Sequence, residues 1–155
     1  MKMKFKVSVL SMTILFMFSC NNTVVYDVFC SVDKSGWKWN EKCEFPIELN
    51  DTTHLHNIYI QLRHTIDYPM RNLYIFVNVN GPSGQILKDT VNVILAEPEG
   101  KWTGRGIGKL KELRLLYRKN TIFKDPGTYM FIIEQGMRNP SLPVTDIGIR
   151  IEKIL

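Results

Sequence analysis

The three histidines of the chain come closest, by residue type and spacing, to a metal site. His54 and His56 are two residues apart and would share one face of a strand, and His64 lies eight residues further on. Three imidazoles could bind zinc. The first pair, however, follows the polar stretch 50–53, and no HExxH motif or nearby cysteine and carboxylate set fixes a ligand geometry. We therefore predict surface imidazoles and no metal site.

A glycine-rich segment at 102–108 is the second candidate. Its glycines stand at alternate positions rather than in a GxGxxG pattern, and no βαβ unit surrounds them, so we predict a turn rather than a phosphate cradle. Trp102 would then cover the open end of a core. The reading that we rank second is an exposed Trp102 that forms, with Arg105, a docking or sugar-stacking point.

No motif supplies a catalytic nucleophile or an acid and base pair. GxSxG is absent and the acidic residues are scattered, so the residues identify no catalytic site and no cofactor, although carboxylates from distant positions could still assemble into a pair. Other polar or flexible residues near strand-like runs are expected on solvated faces or in turns: Arg63, Asp89, Met137, Arg138 and Asp146. Of these, we add Arg138 to Trp102 and Arg105 as a candidate partner or ligand surface.

Strands must position these residues, because apolar and polar residues alternate in short runs separated by turn residues. The clearest runs are 58–65 and 73–79, and a Gly-Pro-Ser-Gly turn links the second to a run at 86–96. Further strands are predicted at 24–29, 43–48, 129–134 and 147–152.

The segment 110–117 is ambiguous, because Leu110, Leu113 and Leu116 have helical spacing, whereas Leu113, Leu115 and Tyr117 have strand spacing. We favour a strand. About eight strands with short links predict an all-β fold, an antiparallel two-sheet β-sandwich of jelly-roll type.

The N-terminal residues read as a leader. Three lysines within residues 1–6 precede an uncharged run at 7–18, which as a helix would rise roughly 18 Å, well short of the ~30 Å hydrocarbon core. This is the plan of a signal peptide. We predict a signal peptide at 1–19 and one domain at 20–155.

Cys20 follows the leader directly, where a lipoprotein-processing peptidase would cut and a lipid thioether would form. Met17 and Phe18 make the surrounding lipobox loose. The alternative is an ordinary secreted protein, which we rank below lipidation at Cys20. Several acyl chains would hold the domain at the membrane persistently.

Cys30 and Cys43 would lie outside the cytoplasm, where disulfides persist. Sequence gives no Cα separation for them, so a disulfide and two free thiols remain equal alternatives.

The basic balance of the chain carries little weight for nucleic-acid binding. The formal charge is +5, but three lysines belong to the leader, which leaves 17 basic against 15 acidic residues. So weak an excess does not neutralise a run of phosphates, and we exclude DNA and RNA as partners.

An ordered set of short pieces spans nearly the whole chain. They are Trp39 with Phe45, 62–64 with Tyr68, 72–76, 81–84, 89–90, 100–106, 127–131, 135–138 and 146–148. In this order, after a lipoprotein leader, the chain resembles the GldH gliding motility lipoproteins. Only the lipidation position maps residue by residue, onto Cys20; Cys30 and Cys43 are not part of the pattern.

The resemblance implies a lipid-anchored, non-enzymatic accessory of the gliding machinery, which is linked with type IX secretion. Its partners would be envelope proteins, and the absence of an acidic run after Cys20 favours a periplasm-facing domain. The alternative function is a glycan-binding lipoprotein that uses aromatic rings, namely Trp37, Trp39, Trp102 and Tyr74. An envelope hydrolase ranks last.

Overall fold

The computed structural model describes residues 23–155, which form ten β-strands and no helix that could span a membrane. The strands are β1 (Val24–Ser31), β2 (Trp37–Lys38), β3 (Lys42–Leu49), β4 (His56–Thr65), β5 (Asn72–Asn80), β6 (Ile86–Ile94), β7 (Leu110–Thr121), β8 (Gly127–Gln135), β9 (Ser141–Leu142) and β10 (Val144–Lys153). The predicted leader and Cys20 lie outside the described residues.

Two four-stranded antiparallel sheets contain eight of these strands. Sheet I has the order β1-β10-β4-β7, and sheet II has the order β3-β8-β5-β6. The predicted sandwich is confirmed, and all eight predicted runs are strands, including the ambiguous 110–117. The pair β2 and β9 was not predicted, because two-residue strands show no periodicity.

Strict alternation of burial explains why the sheets pack face to face. Along β3, for example, Cys43, Phe45, Ile47 and Leu49 are buried while the residues between them are exposed. On β10, the side chains at 147, 149 and 151 are isoleucines with no exposed surface. Successive side chains of a strand point to opposite faces, so these inward sets form one core between the sheets.

The sandwich has two sides at which edge strands of different sheets meet. On one side β1 approaches β3. On the other side Asp89 of β6 accepts hydrogen bonds from the Tyr117 hydroxyl and the Arg118 guanidinium of β7. These contacts tie the open edges of the two sheets together.

The sandwich also has two ends, because the eight strands of the two sheets run from one end to the other. The Thr23 end comprises the start of β1 and the links 50–55, 81–85 and 122–126. The Trp102 end comprises the β2–β9 pair and the links 66–71, 95–109 and 136–140. Strands of eight to ten residues span roughly 30 Å, which is the approximate distance between the two ends.

Candidate functional site

Trp102 lies in the link between β6 and β7 and packs on the core at the open end of the sandwich. Its ring centroid is 4.9 Å from that of His64, and it is half-buried. The backbone bridges to Ala96, and the next residue, Thr103, donates through its amide to the Leu95 carbonyl at 2.9 Å. Trp102 thus packs on the core, the first of our two alternatives, and only part of its ring is exposed to solvent.

Arg105 is exposed on a tight turn, as the glycine pattern predicts. Its amide donates to the Glu112 carbonyl at 2.8 Å, and the Glu112 amide donates back at 2.7 Å. Gly106 has a φ of +145°, and a Cβ there would lie 2.4 Å from the Leu110 carbonyl oxygen, so no larger residue fits without rearrangement. The glycines serve the turn, which presents Arg105 and the fully exposed Ile107.

Arg138 is exposed in the link 136–140, at the same end as Trp102 and Arg105 but in a different connection. No hydrogen bond or ion pair among residues 23–155 joins Arg138 to the other two. It follows Met137, whose Sδ accepts the Tyr74 amide at 3.3 Å. The link that carries Arg138 therefore contacts β5, through Gly136 and Met137.

An apolar surface lies on the outer side of sheet II, next to Arg138. We call it the aromatic face, and it consists of Tyr74, Phe76, Ile94 and Met137. Tyr74, Phe76 and Ile94 are each more than 40% exposed, although they are large apolar side chains on strands of the sandwich. Phe76 lies over Gly136, where a Cβ would be 3.2 Å from the ring. Clustered exposed apolar side chains on a sheet are typical of an interaction surface.

The outer side of sheet I is different, because paired polar groups cover much of it. The Arg63 guanidinium lies 3.9 Å from the centre of the Phe29 ring and bonds Glu112 at 2.8 Å. Gln61 donates to Asp27 at 2.7 Å. A protein that bound here would have to compete with these internal contacts, whereas the aromatic face offers apolar surface.

The prediction of surface imidazoles is wrong for two of the three histidines. His54 is exposed, but His56 and His64 have no exposed surface. The reason is register, because β4 starts at His56, so both histidines alternate with Ile58, Ile60 and Leu62 on the inner face. The polar stretch 50–53 belongs to the preceding link. No cluster of possible metal ligands occurs in the described part of the chain.

The buried imidazoles are incompletely hydrogen-bonded. His64 Nδ1 lies 3.0 Å from the Thr65 carbonyl, but its Nε2 and both nitrogens of His56 have no partner. His56 packs edge-on against Phe123, with ring centroids 5.4 Å apart. Burial lowers the pKa of both histidines, because a charged imidazolium would be desolvated.

Cys30 on β1 and Cys43 on β3 face each other where the two sheets meet. Cys43 is buried and Cys30 is half-buried, and both are free thiols in this structure. Burial raises the pKa of the Cys43 thiol, and the proximity of Cys30 raises it further. Because β1 approaches β3 on this side of the sandwich, the two thiols lie near each other.

The four rings that we named for glycan binding do not form a common platform. Trp37 is fully buried, and its Nε1 donates to the Glu41 carbonyl at 3.1 Å. Trp102 is half-buried on the core, which leaves Trp39 and Tyr74 exposed. Stacking on sugars needs an open ring face, so two of the four candidates are unsuited to it.

Comparisons with known proteins agree with the resemblance. The GldH lipoprotein family model matches residues 24–151. A "Gliding motility lipoprotein GldH homolog" of Christiangramia forsetii is 32% identical over an alignment of 161 residues, gaps included. The alignment covers 99% of this chain and 98% of that protein. The "Gliding motility lipoprotein GldH" of Flavobacterium johnsoniae is 32% identical over 153 residues, which cover 94% of each.

The chain belongs to the GldH lipoprotein family. As a GldH homolog it is a non-enzymatic gliding motility lipoprotein, anchored by lipid to a membrane of the cell envelope. The family match begins and ends within the sandwich, from the first residue of β1 to near the end of β10. The GldH region and the two-sheet fold therefore coincide.

Sequence reasoning missed the aromatic face of this GldH homolog. A signal was present, because Tyr74 and Phe76 occupy the polar positions of an otherwise strict alternation along β5. Two aromatic residues on the predicted solvent side of a strand indicate a surface with a use beyond folding. Ile94 and Met137, by contrast, come from other elements and only the fold brings them to β5.

Acidification should destabilise the domain through the two buried histidines. Unfolded histidine has a pKa of about 6.5, and the folded pKa values are lower, so below that pH the unfolded chain binds more protons than the folded chain. Stability is then full above about pH 6.5 and falls as the pH drops, by at most about 1.4 kcal/mol per pH unit for each histidine. Urea unfolding of wild type, His56→Gln and His64→Gln between about pH 7 and 5 measures this. Both variants should have a shallower slope than the wild-type protein, and slopes equal to that of the wild type would contradict the assignment.

Proposed function

We propose that this GldH homolog is a lipid-anchored subunit of the gliding machinery, in the envelope assembly linked with type IX secretion, and that it acts by binding protein partners. The observation that carries the proposal is the contrast between the two outer surfaces of the sandwich. Both surfaces expose apolar side chains, for instance Leu116 on sheet I, but on sheet II Tyr74, Phe76 and Ile94 are clustered, whereas paired polar groups cover much of sheet I. A binding role needs such a surface and no catalytic group.

The anchor of this subunit is proposed to be lipid on Cys20. This residue follows the leader and precedes the first strand by only a few positions, since β1 starts at Val24. A short tether would keep the sandwich close to its membrane. We further propose that the domain faces the periplasm, because no acidic run follows Cys20.

The partner surface is proposed to be the aromatic face with Arg138 at its rim. Aromatic residues, methionine and arginine are enriched where proteins meet, and the apolar centre of an interface is usually surrounded by polar groups. Tyr74, Phe76 and Met137 supply that centre, while Arg138 supplies a charge beside it. Trp102 and Arg105, at the same end, would extend the contact.

Replacement of Cys20 by alanine should abolish lipidation and membrane retention. Cells that express tagged wild type or Cys20→Ala are labelled with a clickable fatty acid, and the purified proteins are assayed for label and for membrane fractionation. We expect label and membrane association only with the wild-type protein. Label on Cys20→Ala would place the lipid elsewhere.

Replacement of Phe76 by aspartate should reduce partner recovery at least about tenfold, because a charge would enter the apolar centre of the interface. After crosslinking in cells, tagged protein is recovered and the gliding and secretion components are quantified. Leu116→Asp is the matched control, since Leu116 is equally exposed (44% against 43%) but lies on sheet I. Equal losses for both variants would refute the aromatic face as the site.

We also propose that Cys30 and Cys43 form a disulfide in the envelope. A bond would form between the two Sγ atoms, and two protons and two electrons would pass to the disulfide of an envelope thiol–disulfide oxidoreductase, which becomes a dithiol. Their juxtaposition across the β1–β3 side supports this. The link would fasten sheet I to sheet II.

Protein isolated with an alkylating agent and no reductant should show linked Cys30 and Cys43 peptides by mass spectrometry. Closing this loop should add about 3 kcal/mol to the free energy of unfolding, a gain that reductant removes. The double variant Cys30→Ala, Cys43→Ala should be insensitive to reductant. Alkylation of both thiols in freshly isolated wild type would rule the disulfide out.

A further inference from the structure

Several separate segments meet at the Thr23 end of the sandwich. The Lys153 amide donates to the Thr23 carbonyl at 2.7 Å, and the Ile154 amide donates to the Leu55 carbonyl at 2.8 Å. The side chain of Gln85, next to β6, bonds Asp125 in the link before β8. The start of β1 is thus held in one surface with three links of the fold.

This surface exposes large apolar side chains where loops are usually polar. Ile86 is 67% exposed, Ile122 is 48% exposed and Leu55 is 37% exposed. Between Ile86 and Ile122 a cleft of about 380 Å³ opens, with Phe123 and Tyr129 among the buried residues that line it. The end therefore combines protruding isoleucines with an apolar cleft, a combination that favours contact with an apolar phase.

The charges around this end suit a lipid surface. Lys119 and Lys124 are exposed, and neither takes part in any ion pair between residues 23 and 155. Asp51, in contrast, is paired with His54 and lies 3.7 Å from Lys153. Unpaired lysines beside exposed apolar groups can bind phosphate headgroups while the apolar groups enter the interface.

The length of the tether decides which surface meets the membrane. Cys20 precedes Thr23 by three residues, which reach at most ~10 Å when extended. This step rests on the proposed lipidation of Cys20. Lipid there would hold the Thr23 end against the bilayer, whereas the Trp102 end lies roughly 30 Å away along the strands.

We propose that the Thr23 end is a membrane-contact surface, on which Ile86 and Ile122 insert into the interface of the phospholipid bilayer that carries the anchor. The domain then stands end-on rather than swinging freely on its tether. The Trp102 end, with Arg105 and Arg138, points away from the lipid. The orientation leaves the aromatic face, on the outer side of sheet II, open to partners.

Brominated phospholipids test this contact, because bromine in the acyl chains quenches only tryptophans that enter the bilayer. The native Trp37, Trp39 and Trp102 all lie at the opposite end, so their emission is a constant background. Full-length lipidated Ile122→Trp is reconstituted into phosphatidylcholine–phosphatidylglycerol vesicles with and without bromine. We expect the added emission to be quenched at least twofold.

Ile107→Trp is the matched control, since Ile107 is fully exposed at the Trp102 end. Its added emission should be unchanged by bromine, and Ile86→Trp should repeat the result of Ile122→Trp. Unquenched emission from both tryptophans at the Thr23 end, in protein that floats with the vesicles, overturns the proposal, as does equal quenching at 107 and 122. Protein that does not float shows instead that the anchoring at Cys20 fails, and the inference falls with it.

Discussion

Insertion of β10 between β1 and β4 is the contact on which the rest of this sandwich depends. It joins strands more than a hundred residues apart in sequence, Val28 opposite Ile149 for instance, and continues on its other edge to Ile60. The isoleucines of β10 are completely buried, so sheet I cannot face sheet II without them. The same pairing fixes the start of β1 at one end of the domain, and thereby fixes where any N-terminal tether must leave.

The outer surfaces of the two sheets differ in the side chains that they expose. Sheet I is covered by paired charges and amides, including the contact of Arg63 with both Phe29 and Glu112. On sheet II, Tyr74 and Phe76 are exposed to solvent, although their strand β5 has a neighbouring strand on each side. A GldH lipoprotein is not an enzyme, so the function that we propose depends on which surfaces remain available to partners and to lipid.

Polar residues inside the core give the domain its sensitivity to conditions. The imidazoles of His56 and His64 are buried with nitrogens that have no hydrogen-bond partner. They are neutral only while the pH is above their lowered pKa values. Cys43 is equally buried and faces Cys30 of the other sheet. Both features lie where strands that are distant in sequence meet, and both connect the stability of the fold to its chemical surroundings.

The sequence by itself determined the strands, because period-two alternation is local and survives in runs such as 73–79 without knowledge of any partner. It also determined the turn at Gly106 and, through its ordered pieces, the family. Only the tertiary structure decided that His56 and His64 are buried, that Cys30 meets Cys43, and which residues complete the aromatic face. These outcomes depend on strand register and sheet order, which are set by contacts between distant segments and leave no periodic trace along the chain.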